Sequence, residues 1–143
     1  MTVLAEREKY MRLLAASIIL LAPLPAAAAS TADFSCANRA AEIRCADGRC
    51  EILTPDDGFT PMRLVRAGKT LSICAYSGCW EGPILARHAL GPMTTLQASV
   101  KRQGGDEAEP ATPLSVIHDA DSGTAQMNWG GFANVMECGA RDE

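Results

Sequence analysis

Six cysteines all follow an export segment, and that order most constrains what the chain can become. Met11-Arg12 leads into an apolar run, Leu13 to Leu24, and then into Pro25-Ala26-Ala27-Ala28-Ala29-Ser30. A basic start, a short apolar stretch and small residues at the cut (Ala27 and Ala29) have the layout of a secretory signal peptide. Cleavage after Ala29 is expected to remove residues 1–29 and to leave residues 30–143 as one exported domain, periplasmic or secreted. Thiols oxidise in those compartments. The apolar run is shorter than the roughly 20 residues a spanning helix needs. No later segment is long enough either, so no membrane span is expected after cleavage. Glu6 and Glu8 fit poorly in a basic leader, which makes Met11 an alternative start. Asp33-Phe34-Ser35, ahead of Cys36, lacks the aliphatic-small-small pattern of a lipid-modified cysteine.

Charge narrows the partners. Taking Arg7, Lys9 and Arg12, and Glu6 and Glu8, from the 13 basic and 17 acidic residues leaves the mature chain at −5. An acidic surface repels phosphate backbones and anionic lipid, so nucleic-acid and membrane-surface binding are disfavoured. A neutral or basic protein partner, met by a monomer, is the expectation.

Beyond Ser30 the chain alternates short apolar runs with Gly, Pro, Asp and Asn. No window sustains a 3.6-residue apolar period, and Ala37 to Glu42 allows one helical turn at most. The pattern predicts an all-β fold, a single antiparallel meander closing into a small sandwich or barrel stapled by disulfides. The clearest hairpin runs Thr124–Trp129, Gly130-Gly131, Phe132–Cys138. Gly-Gly supplies the positive φ values of a two-residue turn. It pairs Trp129 with Phe132, Met127 with Asn134 and Ala125 with Met136. In a second hairpin Asp47-Gly48 turns the chain so that Cys45 faces Cys50, Arg44 faces Glu51 and Ile43 faces Ile52. A third, with a longer loop through Ala75–Gly78, sets Ile73 opposite Trp80. Further strands are expected at Thr60–Arg66, Ile84–Ala89, Thr94–Arg102 and Leu114–His118. Between the last two, Gln103–Pro113 is polar, rich in Gly and Pro, and reads as an exposed loop.

Composition alone leaves the cysteine pairing open. The hairpins favour Cys45–Cys50 and Cys74–Cys79, with Cys36–Cys138 tying the first mature strand to the last. Closing that long loop stabilises most, on the order of 4–5 kcal/mol in the chain-entropy model. The competing reading gives four thiolates of the two Cys-x4-Cys pairs to zinc, at loose spacing and in an oxidising compartment that opposes it. No Cys-x2-Cys redox motif is present. No cofactor and no metal are expected.

Two segments carry candidate chemistry. His118-Asp119-Ala120-Asp121-Ser122-Gly123 gathers an imidazole, two carboxylates and a hydroxyl, the raw material of a small hydrolase using His118 with Asp119 or Asp121. The same residues also suit a polar turn between strands, and the oxygen ligands of a calcium loop are too few. Ser77 stands outside a Gly-x-Ser-x-Gly elbow. The second segment, Tyr76-Ser77-Gly78-Cys79-Trp80-Glu81-Gly82, places aromatic side chains on a constrained loop, as partner-binding anchors often are. Tyr76, Ser77, Trp80 and Glu81 are its candidate contact residues, with Trp80 alternatively in the core against Ile73.

Phe34-Ser-Cys36 near the mature start, Trp80-Glu-Gly82 in mid-chain and a closing strand ending in Cys138 make the layout similar to the small periplasmic lysozyme-inhibitor barrels of Gram-negative bacteria. That likeness spans about a dozen positions, omits the family's inhibitory loop motif and leaves four middle cysteines unaccounted for. It implies inhibition of a basic, lysozyme-like glycosidase. The leading expectation is a non-enzymatic binding or envelope-accessory module, with the inhibitor and the hydrolase as alternatives.

Overall fold

A computed structural model describes residues 33–140; the export segment expected at residues 1–29 lies outside them. Ten strands form among the described residues: β1 (Phe34–Ala37), β2 (Glu42–Ala46), β3 (Arg49–Leu53), β4 (Arg63–Ala67), β5 (Thr70–Ala75), β6 (Gly78–Leu90), β7 (Met93–Arg102), β8 (Thr112–Asp119), β9 (Thr124–Trp129) and β10 (Phe132–Ala140). All pairings are antiparallel, and β4 to β10 follow one another as a meander. β1 lies between β4 and β10, so the sheet closes into an eight-stranded barrel. The β2–β3 hairpin is outside that ring, attached to β10 where Phe132 meets Arg44.

Alternation decides which side chains fill the barrel. Leu64, Leu71, Ile73, Leu96, Val100 and Val116 are wholly buried, with Met127, Met136 and Leu114 beside them. Each such side chain contributes about 1.5–3 kcal/mol of burial. On β7, Leu96, Ala98 and Val100 face inward as their spacing predicts. The three disulfides are Cys36–Cys138, Cys45–Cys50 and Cys74–Cys79, and no cysteine is left free. Every cysteine sulfur is thus bonded to another, which removes the thiolates a zinc site would use.

The registers of all three expected hairpins are present: Trp129 with Phe132, Cys45 with Cys50, and Ile73 with Trp80. Three expectations need correction. Ala37–Glu42 makes no helical turn; Ala37 ends β1 and Glu42 begins β2. The loop of the third hairpin is two residues, Tyr76-Ser77, because Ala75 pairs with Gly78. The strand expected from Thr60 begins at Arg63, since Thr60 and Met62 give their amides to side chains: Thr60 N to Glu42 Oε2 and Met62 N to Asn38 Oδ1 (2.6 Å).

Those bonds belong to a polar knot that fastens the outer hairpin to the barrel. Glu42 is fully buried, and its Oε1 accepts from Arg44 Nη2 at 2.7 Å. Asn134, on β10, accepts from Ile43 N at 3.0 Å. Asn38 Nδ2 donates to Thr60 O at 3.0 Å. Buried polar groups keep their hydrogen bonds in this way because each one left unmade costs about 1–3 kcal/mol.

Candidate functional site

The Tyr76-Ser77 turn sits at the barrel mouth formed by the end of β5, the start of β6 and the end of β7. Two bonds hold it from either side. Below it, the Cys74–Cys79 disulfide joins the strands with their Cα atoms 4.0 Å apart. Beside it, Arg102 Nη2 donates to Ser77 O at 2.6 Å. Gly78, which closes the turn, has a φ of +138°, a backbone conformation that favours glycine.

Within this frame the four candidate contact residues part ways. Tyr76 is 79% exposed, and Ser77 and Glu81 are exposed as well. Trp80 is half-buried, with its ring 4.7 Å from that of Trp129 and the Arg102 guanidinium 5.8 Å above it. Trp129 continues the row to Phe132 at 6.0 Å, and Arg44 caps Phe132 at 5.6 Å. Trp80 is therefore part of the scaffold beneath the turn, and Tyr76 is its projecting ring. Glu81 accepts from Gln103 Nε2 at 3.3 Å.

Next to Tyr76 lies an open concavity of about 460 Å³ bordered by Arg39, Pro61, Arg63 and Ala75. A second, of about 470 Å³, continues it over the seam where β1 meets β4 and β10. Arg63 Nε donates to Ser35 Oγ at 3.0 Å, and Arg39 approaches Glu137 at 3.9 Å. Sequence reasoning missed Arg39, Arg63 and Arg102. They come from β4, the end of β7 and the segment after β1, and only closure of the barrel gathers them.

The other candidate, His118 to Gly123, lies at the opposite mouth. Asp119 Oδ2 accepts from Ser122 Oγ at 2.8 Å and Oδ1 from Asp121 N at 3.0 Å. These bonds hold the Asp119 carboxyl below its ordinary range. The His118 ring stacks on Phe34 with centroids 4.1 Å apart. Burial lowers its pKa, Asp119 works against that, and Arg66 adds to it. Among the described residues no hydrogen bond joins the imidazole to Asp119 or Asp121, so the segment has the bonding of a polar turn. No group of three or more His, Cys, Asp or Glu side chains gathers at metal-binding distance among the described residues. No helix among them is long and apolar enough to cross a membrane.

No family model, curated protein or solved structure matches the chain.

Proposed function

We propose that the chain is an exported, non-enzymatic binding module that captures a protein partner through the turn at Tyr76. One observation carries this reading: a large aromatic side chain stands 79% exposed on a turn clamped by a disulfide and by Arg102. A rigid aromatic loses little entropy when a partner covers it, which is why such residues recur as binding anchors. The partner face is neutral. The net charge of −4 over the whole sequence repels an acidic protein at long range, and Arg39, Arg63 and Arg102 around the turn repel a basic one at contact. Three disulfides suit a periplasmic or secreted setting.

The test compares binding with stability in single variants of the exported domain. Tyr76→Ala abolishes partner capture from envelope extract and leaves the melting temperature unchanged. Trp80→Ala lowers the melting temperature, since its ring packs on Trp129. Full capture by Tyr76→Ala would overturn the proposal.

A further inference from the structure

One row of paired residues crosses the barrel wall just below the Tyr76 turn. Glu137 of β10 pairs with Ala37 of β1, Ala37 with Arg63 of β4, Arg63 with Cys74 of β5, and Cys74 with Cys79 of β6. Residues paired in register share one face of a sheet. Arg63 is exposed while Met62 and Leu64 on either side of it are buried, so the row lies on the outer face. Cys74 stands two residues before Tyr76. Arg63 therefore flanks the concavity of about 460 Å³ that Tyr76 borders.

Ala37, Pro61, Met62 and Ala75 give that concavity an apolar lining. Its shape is fixed by Asn38, which is buried beneath it. Asn38 Oδ1 accepts from Met62 N at 2.6 Å, Asn38 Nδ2 donates to Thr60 O at 3.0 Å, and Asn38 N donates to Met62 O at 3.3 Å. The segment from Thr60 to Met62 is thus pinned against residue 38. On the other side the Cys74–Cys79 disulfide holds the base of the Tyr76 turn. A ligand entering this hollow has little of the protein left to order.

Charge says what the hollow takes. Arg39 and Arg63 border both this concavity and its continuation over the β1 seam. The two guanidiniums are not equivalent. Arg39 Nε lies 3.9 Å from Glu137 Oε2, so the carboxylate on this face is turned to Arg39. Arg63 donates from Nε to Ser35 Oγ at 3.0 Å. Among the described residues its two terminal nitrogens make no hydrogen bond and no ion pair. Such a pair of nitrogens, in one plane, matches the two oxygens of a carboxylate. The bond to Ser35 holds the plane in place.

We infer that the concavity beside Tyr76 receives the C-terminal residue of a protein partner, with its free α-carboxylate on Arg63 and its apolar side chain on Pro61, Met62 and Ala75. The inference rests on the reading of Tyr76 as the partner anchor and names what the partner presents there. An apolar side chain and a carboxylate occur on one residue only at the end of a chain. That combination is what a guanidinium at the rim of an apolar hollow fits. A neutral protein suits the long-range charge of this chain, and its terminus is a carboxylate that it carries whatever its composition. Capture of a terminal carboxylate is a recurring mode of peptide recognition.

The probe is an N-terminally labelled peptide, Gly-Ser-Gly-Ser-Gly-Leu, titrated by fluorescence anisotropy against the exported domain as the free acid and as the C-terminal amide. The acid binds saturably and at least about fivefold more tightly than the amide. Replacing its last leucine by glycine, with the acid kept, weakens binding about tenfold. Arg63→Gln lowers the acid to the affinity of the amide and leaves the melting temperature unchanged, because the side chain is exposed. Tyr76→Ala weakens acid and amide by the same factor. Binding of neither peptide, or a preference for the acid that survives Arg63→Gln, would overturn the inference. So would equally tight binding of an amidated peptide with an internal aspartate, which would make the ligand a side-chain carboxylate. Equal binding of acid and amide, both lost in Tyr76→Ala, would overturn the inference and spare the reading of Tyr76. A preference for the acid at full affinity in Tyr76→Ala would overturn that reading and this inference with it.

Discussion

The two Cys-x4-Cys hairpins each turn through two residues and carry a cross-strand disulfide, with Cα atoms 4.0 Å apart in each. Their settings differ entirely. β5–β6 is part of the barrel wall, so Ile73 is wholly buried opposite Trp80. β2–β3 hangs outside the ring, and its Ile52, paired with Ile43, is 68% exposed. One hairpin is held by apolar packing and the other by the buried Glu42 knot. A local motif therefore sets turn and register, and the closure of the sheet decides what the motif is worth.

The largest effect lies outside both hairpins and serves as their yardstick. Replacing Cys36 and Cys138 by serine opens a loop of 102 residues' separation and costs on the order of 4–5 kcal/mol, seen as a fall in denaturation midpoint. Opening either short disulfide in the same assay costs about 2 kcal/mol in the loop-entropy model. Next comes packing. Trp80→Ala should destabilise by about 3 kcal/mol, whereas Ile52→Ala on the outer hairpin should cost under about 0.5 kcal/mol; equal losses would break the comparison. Glu42→Ala should cost about 3 kcal/mol, because Arg44 and the Thr60 amide lose their buried acceptor. Hydrogen exchange in that variant should rise first in β2–β3 and leave β5–β6 protected.

The smallest effect is a pH dependence that both hairpins share. His118 has its pKa lowered in the folded barrel from an ordinary value of about 6.5. The unfolded chain then binds the proton more readily, so stability is full above that value and falls as the pH drops toward the lowered one. Melting curves between pH 7 and 5 should show this loss, and His118→Gln should flatten it equally in variants of either hairpin. Asp57 and Asp119, both with lowered pKa values, add their own loss only near and below pH 4.

Turn chemistry and alternation made much of the fold legible. Asp47-Gly48 and Gly130-Gly131 carry positive φ at all four positions, which is why their registers follow from sequence. The Cys45–Cys50 pairing followed from the first of those registers. Legibility ended where contacts depend on barrel closure. Glu42 ended the stretch that allowed one helical turn, and only its hydrogen bonds with Arg44 and the Thr60 amide reveal it as a buried acceptor. Arg39, Arg63 and Arg102 converge on the Tyr76 turn from distant strands. Gly82 is required in mid-strand, where a Cβ would come within 1.9 Å of Ser99 O. Of the candidate site, the exposure of Tyr76 was foreseeable from its turn; the burial of Trp80 beside Trp129 needed the closed sheet.

The central claim is that Tyr76, and not its counterpart surface on the outer hairpin, meets a partner. Benzoylphenylalanine placed at Tyr76 or at Ile52, both large and exposed, tests it directly in the export compartment under ultraviolet light. The account predicts a discrete cross-linked adduct from position 76 and none from position 52. Adducts of equal yield from both positions, or none from 76, would contradict it.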